Sequence, residues 1–375
     1  MTGPVLTTSA PATRPSARRR RRVWISTLAA VGLVLCGAGL WLHSEYFEPA
    51  AQCEQQPGVE VICGFNNPED IVRIGTSPWA LTSNLGDQDW QQGGMSAYNS
   101  DTGSVIDVAI DFTTPLQDPY ADCPGPPEVA AFSSHGLSVQ ERDGKMTLLA
   151  VNHGGRESVE VFDVDMTGSV PSLGWKGCAE LPGGKVANSV AAYGDDRFLA
   201  TVPQDAGLTT GAVYAWAPTT GWDRIDALEF DGNNGILVSP DERTVYIAEW
   251  SSQRVTKASI DGSTAPTESA DLGFLPDNLR FAPDGTILAA GQQTSPLLIA
   301  GLCNGTSIEV CPATSAVAQL DSETLTAERL VEIPRSKTFG GATSAIMIGD
   351  DLLVSSFRAP AILRIPLDAL PIIRG

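Results

Sequence analysis

The sequence is short of positive charge. Six of its 24 basic residues precede position 43, so the remainder carries 18 basic against 44 acidic residues, a formal charge of −26. A surface this acidic repels phosphate backbones and argues against nucleic acid as a partner. Long helical periodicity is scarce beyond the N-terminus, which argues against helical bundles and coiled coils. No two of the seven cysteines are spaced C-x-x-C, which argues against a zinc knuckle or a thioredoxin-like centre. G-x-S-x-G is missing, and with it the serine nucleophile elbow. G-x-x-x-x-G-K-[ST] and G-x-G-x-x-G are missing too, which removes the usual nucleotide cradles. What remains is a chain with 42% apolar and 18% charged residues, enough for a sizeable core. Its 37 glycines and 26 prolines suit many short elements joined by turns.

The basic residues that do occur early set an expected location. Arg18 to Arg22 form an unbroken run at the end of a segment rich in Thr, Pro, Ser and Ala. Val23 to Leu42 then gives an uncharged stretch long enough to span a bilayer as a helix, with Trp24 and Trp41 near its two ends. The expected organisation is a disordered cytoplasmic tail over 1–22, a membrane anchor over 23–42, a linker and first strand region over 43–62, a large domain over 63–368 and a tail over 369–375. The positive-inside rule places that domain outside the cytoplasm. A cleaved signal peptide and a secreted protein is the rival expectation. Export agrees with an even count of six cysteines after Cys36. Sequence proximity favours Cys53–Cys63 and Cys303–Cys311, which leaves Cys123–Cys178; other pairings stay open.

Six segments repeat one pattern: a polar residue, a short strand, a turn, then an apolar strand. They begin at 69, 135, 188, 234, 278 and 344, with Asp143-Gly144, Gly194 to Asp196, Pro240 to Glu242, Pro283 to Gly285 and Gly349 to Asp351 as hairpin-like turns. Spacings of 53, 46 and 44 residues are those of a propeller, and insertions account for the two spacings of 66. The predicted fold is therefore all-β, a six-bladed β-propeller behind one N-terminal transmembrane helix. The innermost strands of a propeller line its channel. The residues that open them are Glu69 and Asp70, His135, Asn188, Asn234, Asp277 and Asn278. An Asn or Asp beside a turn is ordinarily a capping residue. That reading leaves unexplained why oxygen-bearing side chains recur in the same register.

Carboxylate and amide oxygens without cysteine suit a hard cation. Calcium takes six to eight oxygens, so Glu69, Asn188, Asn234, Asp277 and Asn278 with water fill its shell. His135 opens the second inner strand and His153 ends the strand that follows it. Beside a calcium site the pair suits a general base and its orienting partner, since imidazole titrates near neutrality.

At these residues the chain resembles the paraoxonase/arylesterase family, calcium-dependent six-bladed propellers that hydrolyse lactones and esters. The stretches that carry the resemblance are Cys63–Ile71, Ser134–Ser138, Leu149–His153, Ser158–Phe162, Asn233–Asp241, Val245–Glu249 and Asp277-Asn278. His-Gly-Leu-Ser at 135–138 and Val-Asn-His at 151–153 are the more specific of them. The resemblance implies that Glu69, Asn188, Asn234, Asp277 and Asn278 hold a catalytic calcium. It implies that His135 and His153 form a histidine dyad, and that Asp70 and the carbonyl of Leu137 hold a second, structural calcium. The family has an acid directly after the third-blade Asn, where this chain has Ser189, so one ion rather than two is expected. No cysteine follows Cys311, so the family's disulfide joining the two chain ends is absent. The function implied is hydrolysis of a small lactone or aryl ester. Two alternatives stand beside it. One is a gluconolactonase-like hydrolase of sugar lactones, which lacks the dyad; the other is a cell-surface propeller that binds and catalyses nothing.

Overall fold

Runs such as Leu148–Val151, Val245–Ala248 and Ile287–Ala290 are apolar at every position rather than alternating. A strand of that kind is stable only when both of its faces are covered. The fold covers them by stacking six sheets around an axis, and all of these residues are buried. The computed structural model describes residues 53–86, 93–205, 210–304 and 308–370. The expected tail 1–22 and membrane anchor 23–42 lie outside the described residues. Among those described, no helix is long and apolar enough to cross a membrane.

The inner strands of the six blades are Pro68–Arg73, Ser134–Arg142, Val190–Tyr193, Asn233–Val238, Leu275–Phe281 and Ala342–Ile348. Five blades are four-stranded antiparallel sheets, and blade 2 has a fifth strand, Ala109–Asp111, added parallel to its outer edge. The two long repeat spacings are insertions. One is the 112–133 segment between blades 1 and 2. The other is the 294–313 loop of blade 5, closed on itself by Cys303–Cys311. The first is tied to blade 2 by Cys123–Cys178, and its Tyr120 ring stacks on Trp216 of blade 3 at 5.3 Å. The turns expected from sequence all contain a left-handed residue: Asp143 and Gly144, Gly194 and Asp196, Glu242, Gly285, and Gly349. Asp143-Gly144 has positive φ at both positions, the twist that a two-residue hairpin requires.

The ring is closed by the start of the domain. Glu60–Cys63 pairs antiparallel with Ala361–Pro366 and supplies the outer strand of blade 6. The loop before that strand is held by the third disulfide, Cys53–Cys63. Backbone pairing thus joins the two ends of the propeller where a covalent tie between them is missing.

Close approach of the inner strands depends on glycine. A Cβ at Gly235 of blade 4 would lie 2.3 Å from the Asp277 carbonyl oxygen and 2.7 Å from Asn278 Cα in blade 5. Gly235→Ala should therefore destabilise the domain by about 1–3 kcal/mol, the usual range for overpacking. Gly301→Ala, where an added Cβ meets nothing within 4 Å, should stay near wild type. Urea unfolding midpoints compare the two; equal midpoints would show that the inner strands can move apart.

Candidate active site

Five of the six inner strands carry one extra residue at the same place. The pairing slips between Pro68 and Ile71, Ser134 and Leu137, Asn233 and Ile236, Pro276 and Leu279, and Ala342 and Ser344. A regular strand sends neighbouring side chains to opposite faces. A bulge re-aims them, so Glu69 with Asp70, and Asp277 with Asn278, can both serve the channel. In blade 3 the same level is reached just before the inner strand, where Asn188 N–H donates to the Thr201 carbonyl at 2.9 Å.

The bulges gather oxygens. Asn278 Nδ2 donates to Glu69 Oε1 at 2.8 Å across blades 5 and 1. Gln292 Nε2 donates to Asp277 Oδ2 at 2.8 Å, while Trp250 Nε1 donates to Gln292 Oε1 at 3.0 Å. The Asn188 carbonyl accepts from Gly136 N–H at 3.1 Å, beside His135. With those bonds made, Glu69 Oε2, Asn188 Oδ1, Asn234 Oδ1, Asp277 Oδ1 and Asn278 Oδ1 remain buried and without a hydrogen-bond partner. Buried polar atoms are normally satisfied, and each orphan costs about 1–3 kcal/mol. Burial, and next the Asp70 charge, push the Glu69 pKa well above the ordinary carboxylate range. Burial, and next the Glu69 charge, do the same to Asp277. Five orphaned oxygens with two carboxylates among them fit a hard cation, and calcium's preference for oxygen in flexible geometry fits them best. Among the described residues no three His, Cys, Asp or Glu side chains form a metal-holding group, because three of these five donors are amides.

The two histidines meet at this ring. His135 Nδ1 is 2.6 Å from His153 Nε2, and His135 Nε2 is 3.5 Å from Glu69 Oε2. The turn that presents His153 is built by its neighbours. Asn152 Oδ1 accepts from Ser133 N–H at 3.0 Å and Gly154 N–H at 3.2 Å. Gly154 leaves room for the Ala131 carbonyl, which would fall 1.2 Å from an added Cβ. Burial pushes His135 down to about 4 and lowers His153 as well, so both rings are neutral at pH 7.

The residues expected to hold a second ion are engaged otherwise. Asp70 Oδ2 accepts from Leu137 N–H at 2.7 Å and from Arg280 Nη2. Arg280 also donates to the Leu137 carbonyl at 3.1 Å, the Ile71 carbonyl at 3.1 Å and the Leu279 carbonyl at 2.7 Å. A guanidinium from blade 5 thus bonds both groups, Asp70 and the Leu137 carbonyl, that the sequence suggested for calcium. Arg280 also lines a cavity of about 370 Å³, whose wall mixes apolar side chains such as Val72, Val190 and Phe281 with polar ones such as Arg73, Glu141 and Glu242.

Residues 129–295 match the family model of the SMP-30/Gluconolactonase/LRE-like region. That stretch holds both histidines, Asn188, Asn234, Asp277 and Asn278. Human serum paraoxonase/arylesterase 1 is 30% identical over 172 residues, which cover 42% of this chain and 48% of that protein. The chain thus spans about half the length of that curated relative. A gluconolactonase from Xanthomonas campestris superposes with a TM-score of 0.52 at 16% identity, covering 87% of this chain and 92% of its own. A luciferin-regenerating enzyme superposes with a TM-score of 0.50 at 10% identity, covering 82% and 95%. At these identities the two structures speak for the fold alone, a six-bladed β-propeller.

Sequence reasoning missed four participants. Gln292 orients Asp277, Glu157 bonds His153, Arg280 bonds Asp70, and the Thr343 hydroxyl donates to the Glu69 carbonyl. Thr343 directly precedes position 344, where the sixth segment begins, and it lies in the bulge that the other inner strands share, so that shared position is the signal that could have found it. Arg280 invites a direct test. Asp70 is fully buried and Arg280 is 11% exposed at the side chain. Arg280→Met should therefore cost about 3–5 kcal/mol, the usual penalty for leaving a buried charge unpaired. The Asp70→Asn/Arg280→Met double variant should recover part of it. A double-mutant cycle by denaturant unfolding measures the coupling, and a single variant as stable as wild type would remove Arg280 from this role.

Proposed function

We propose that the domain is a calcium-dependent hydrolase of lactones and carboxylic (aryl) esters, held outside the cytoplasm by the 23–42 segment. The observation that carries this reading is a histidine pair that meets, through His135 Nε2 and Glu69 Oε2 at 3.5 Å, a set of five orphaned buried oxygens. The names of the relatives support it, since both gluconolactonase and arylesterase denote hydrolysis of a carboxylic ester linkage. Glu69, Asn188, Asn234, Asp277 and Asn278 would hold the ion. When bound, calcium polarises the ester carbonyl and stabilises the oxyanion. His135 takes a proton from water, and His153 holds its ring in place. The family match favours sugar lactones as a second reading of the same site. The histidine contact argues for the wider lactone and aryl-ester class. A small molecule is the proposed substrate in either case, and the ion count is one because Arg280 engages the second location.

A panel of lactones, sugar lactones and aryl esters with and without a calcium chelator tests the reading. Turnover should vanish in chelator and return with calcium. His135→Gln should lower turnover by about 10²–10⁴, the usual loss for a general base, with the calcium midpoint unchanged. Asn234→Ala should weaken calcium binding and turnover together. Full activity in chelator, or in His135→Gln, would overturn the assignment.

The raised carboxylates add a pH signature. For a group with a raised folded pKa, the stabilising contribution is complete below its unfolded value and is lost as pH rises through its folded value. Glu69 and Asp277 behave this way in the calcium-free fold. A bound cation offsets that loss. The gain in melting temperature on adding calcium should therefore be small near pH ~4.5 and grow toward neutrality. Melting of calcium-free and calcium-loaded protein across pH checks this; a gain that shrinks with rising pH would contradict the ligand set.

A further inference from the structure

The dyad does not end at His153. Glu157 Oε2 lies 2.8 Å from His153 Nδ1. The neighbouring Arg156 is directed elsewhere, with Nε and Nη2 on Glu160 Oε1 at 3.0 and 2.7 Å. Glu157 is therefore left to face the imidazole. Its own backbone is pinned, since its carbonyl accepts from Leu181 N–H at 2.9 Å.

Hydrogen-bond bookkeeping then decides the protons. An ionised carboxylate only accepts, so His153 Nδ1 carries the hydrogen. A neutral imidazole has one N–H, so His153 Nε2 is bare. The 2.6 Å contact with His135 Nδ1 needs one hydrogen between the two nitrogens, and only His135 Nδ1 can supply it. His135 Nε2 is consequently bare, and it is the nitrogen that faces Glu69 and the oxygen ring. The opposite arrangement would set a lone pair of His153 against a carboxylate lone pair at 2.8 Å, a far closer opposition than the 3.5 Å between His135 Nε2 and Glu69 Oε2. Glu157 is also the most exposed of the three: side chains are 13% exposed at His135, 1% at His153 and 24% at Glu157.

We propose that Glu157 is a positioning residue that sets the tautomers of both histidines, aims the His135 Nε2 lone pair at the reaction centre and forms the solvent end of a proton relay. The inference rests on the hydrolase reading. In the step concerned, water loses a proton to His135 Nε2 while its oxygen bonds to the ester carbonyl carbon. The His135 Nδ1 hydrogen passes to His153 Nε2, and the His153 Nδ1 hydrogen passes to Glu157 Oε2 and on to bulk water. The tetrahedral intermediate then breaks its bond to the leaving oxygen, and the alkoxide takes the water's second proton and leaves as the alcohol. The product acid leaves as its carboxylate, one proton is released per turnover, and the two imidazoles regain their Nδ1–H tautomers by proton exchange with water.

The test combines spectra and kinetics. The chain has three histidines, so ¹⁵N-histidine labelling gives a readable tautomer spectrum. Calcium-loaded wild type should show Nδ1–H tautomers at His135 and His153, with an exchange-protected His153 Nδ1 proton. Glu157→Ala should lose that protection and mix the tautomers, and Glu157→Gln should weaken it. Glu157→Ala should lower kcat by about 10²–10⁴, as expected for a carboxylate that holds a catalytic imidazole, with KM and the calcium midpoint unchanged. Added formate should restore part of kcat. An unchanged histidine spectrum in Glu157→Ala overturns the proposal. So does wild-type kcat in Glu157→Ala where His135→Gln is inactive. If wild type hydrolyses no lactone or ester at all, the hydrolase reading falls, and with it the relay. The spectrum still decides the tautomer assignment on its own.

Discussion

Burying several oxygens around one axis is the constraint on which the rest of this structure depends. Six sheets stacked face to face leave a narrow channel, and whatever opens each inner strand is forced toward it. Apolar side chains there would close the channel. This chain instead presents two carboxylates, three amides and an imidazole, and five of the oxygens have no protein donor. The repeated bulge is the local device that makes this possible, because it turns consecutive residues to one side. Glycine at 136 and 235 allows neighbouring strands to come close enough for the oxygens to share one space.

The channel solves the problem of buried negative charge in two different ways at two levels. One residue further along the inner strand than Glu69, Asp70 is neutralised within the chain by Arg280, whose guanidinium also bonds three backbone carbonyls from blades 1, 2 and 5. At the level of Glu69 and Asp277 no Lys or Arg side chain among the described residues forms an ion pair with either carboxylate. The first solution is permanent and structural. The second leaves oxygens free to meet something that comes from outside the chain, which is the property a site for chemistry requires. The histidine pair sits at the level of the orphaned oxygens, and the arginine lines the separate cavity of mixed polar and apolar character.

The support around the site is as informative as the site itself. Asp277 is held through Gln292 to Trp250, and His153 through Asn152 and Gly154 to the 131–133 segment. Both supports come from strand ends and loops on the face where inner strands begin. The insertions that lengthen two of the repeats also lie beside blades 2 and 5. The least regular backbone thus lies in these loops and insertions, whereas the geometry of the centre itself is set by strands.

Much of the fold was legible because its cause is local. Alternation, apolar runs and Asp-Gly or Pro-Asp turns are properties of a few adjacent residues, so six strand–turn–strand units and their insertions could be read directly. Two disulfides are close in sequence, and the third followed by elimination. The residues that open the inner strands were visible for the same reason, since they recur in register. What tertiary structure alone decided are contacts between residues with no common period. Arg280 and Asp70 are 210 residues apart and meet only because blade 5 stands across the axis from blades 1 and 2. Glu157 looked like any polar turn residue until the turn at Gly154 swung its carboxylate onto His153. Residue pattern fixes which side chains enter the channel, whereas closure of the ring fixes which of them meet across it, as Arg280 and Asp70 do, because only the closed ring sets distances across it.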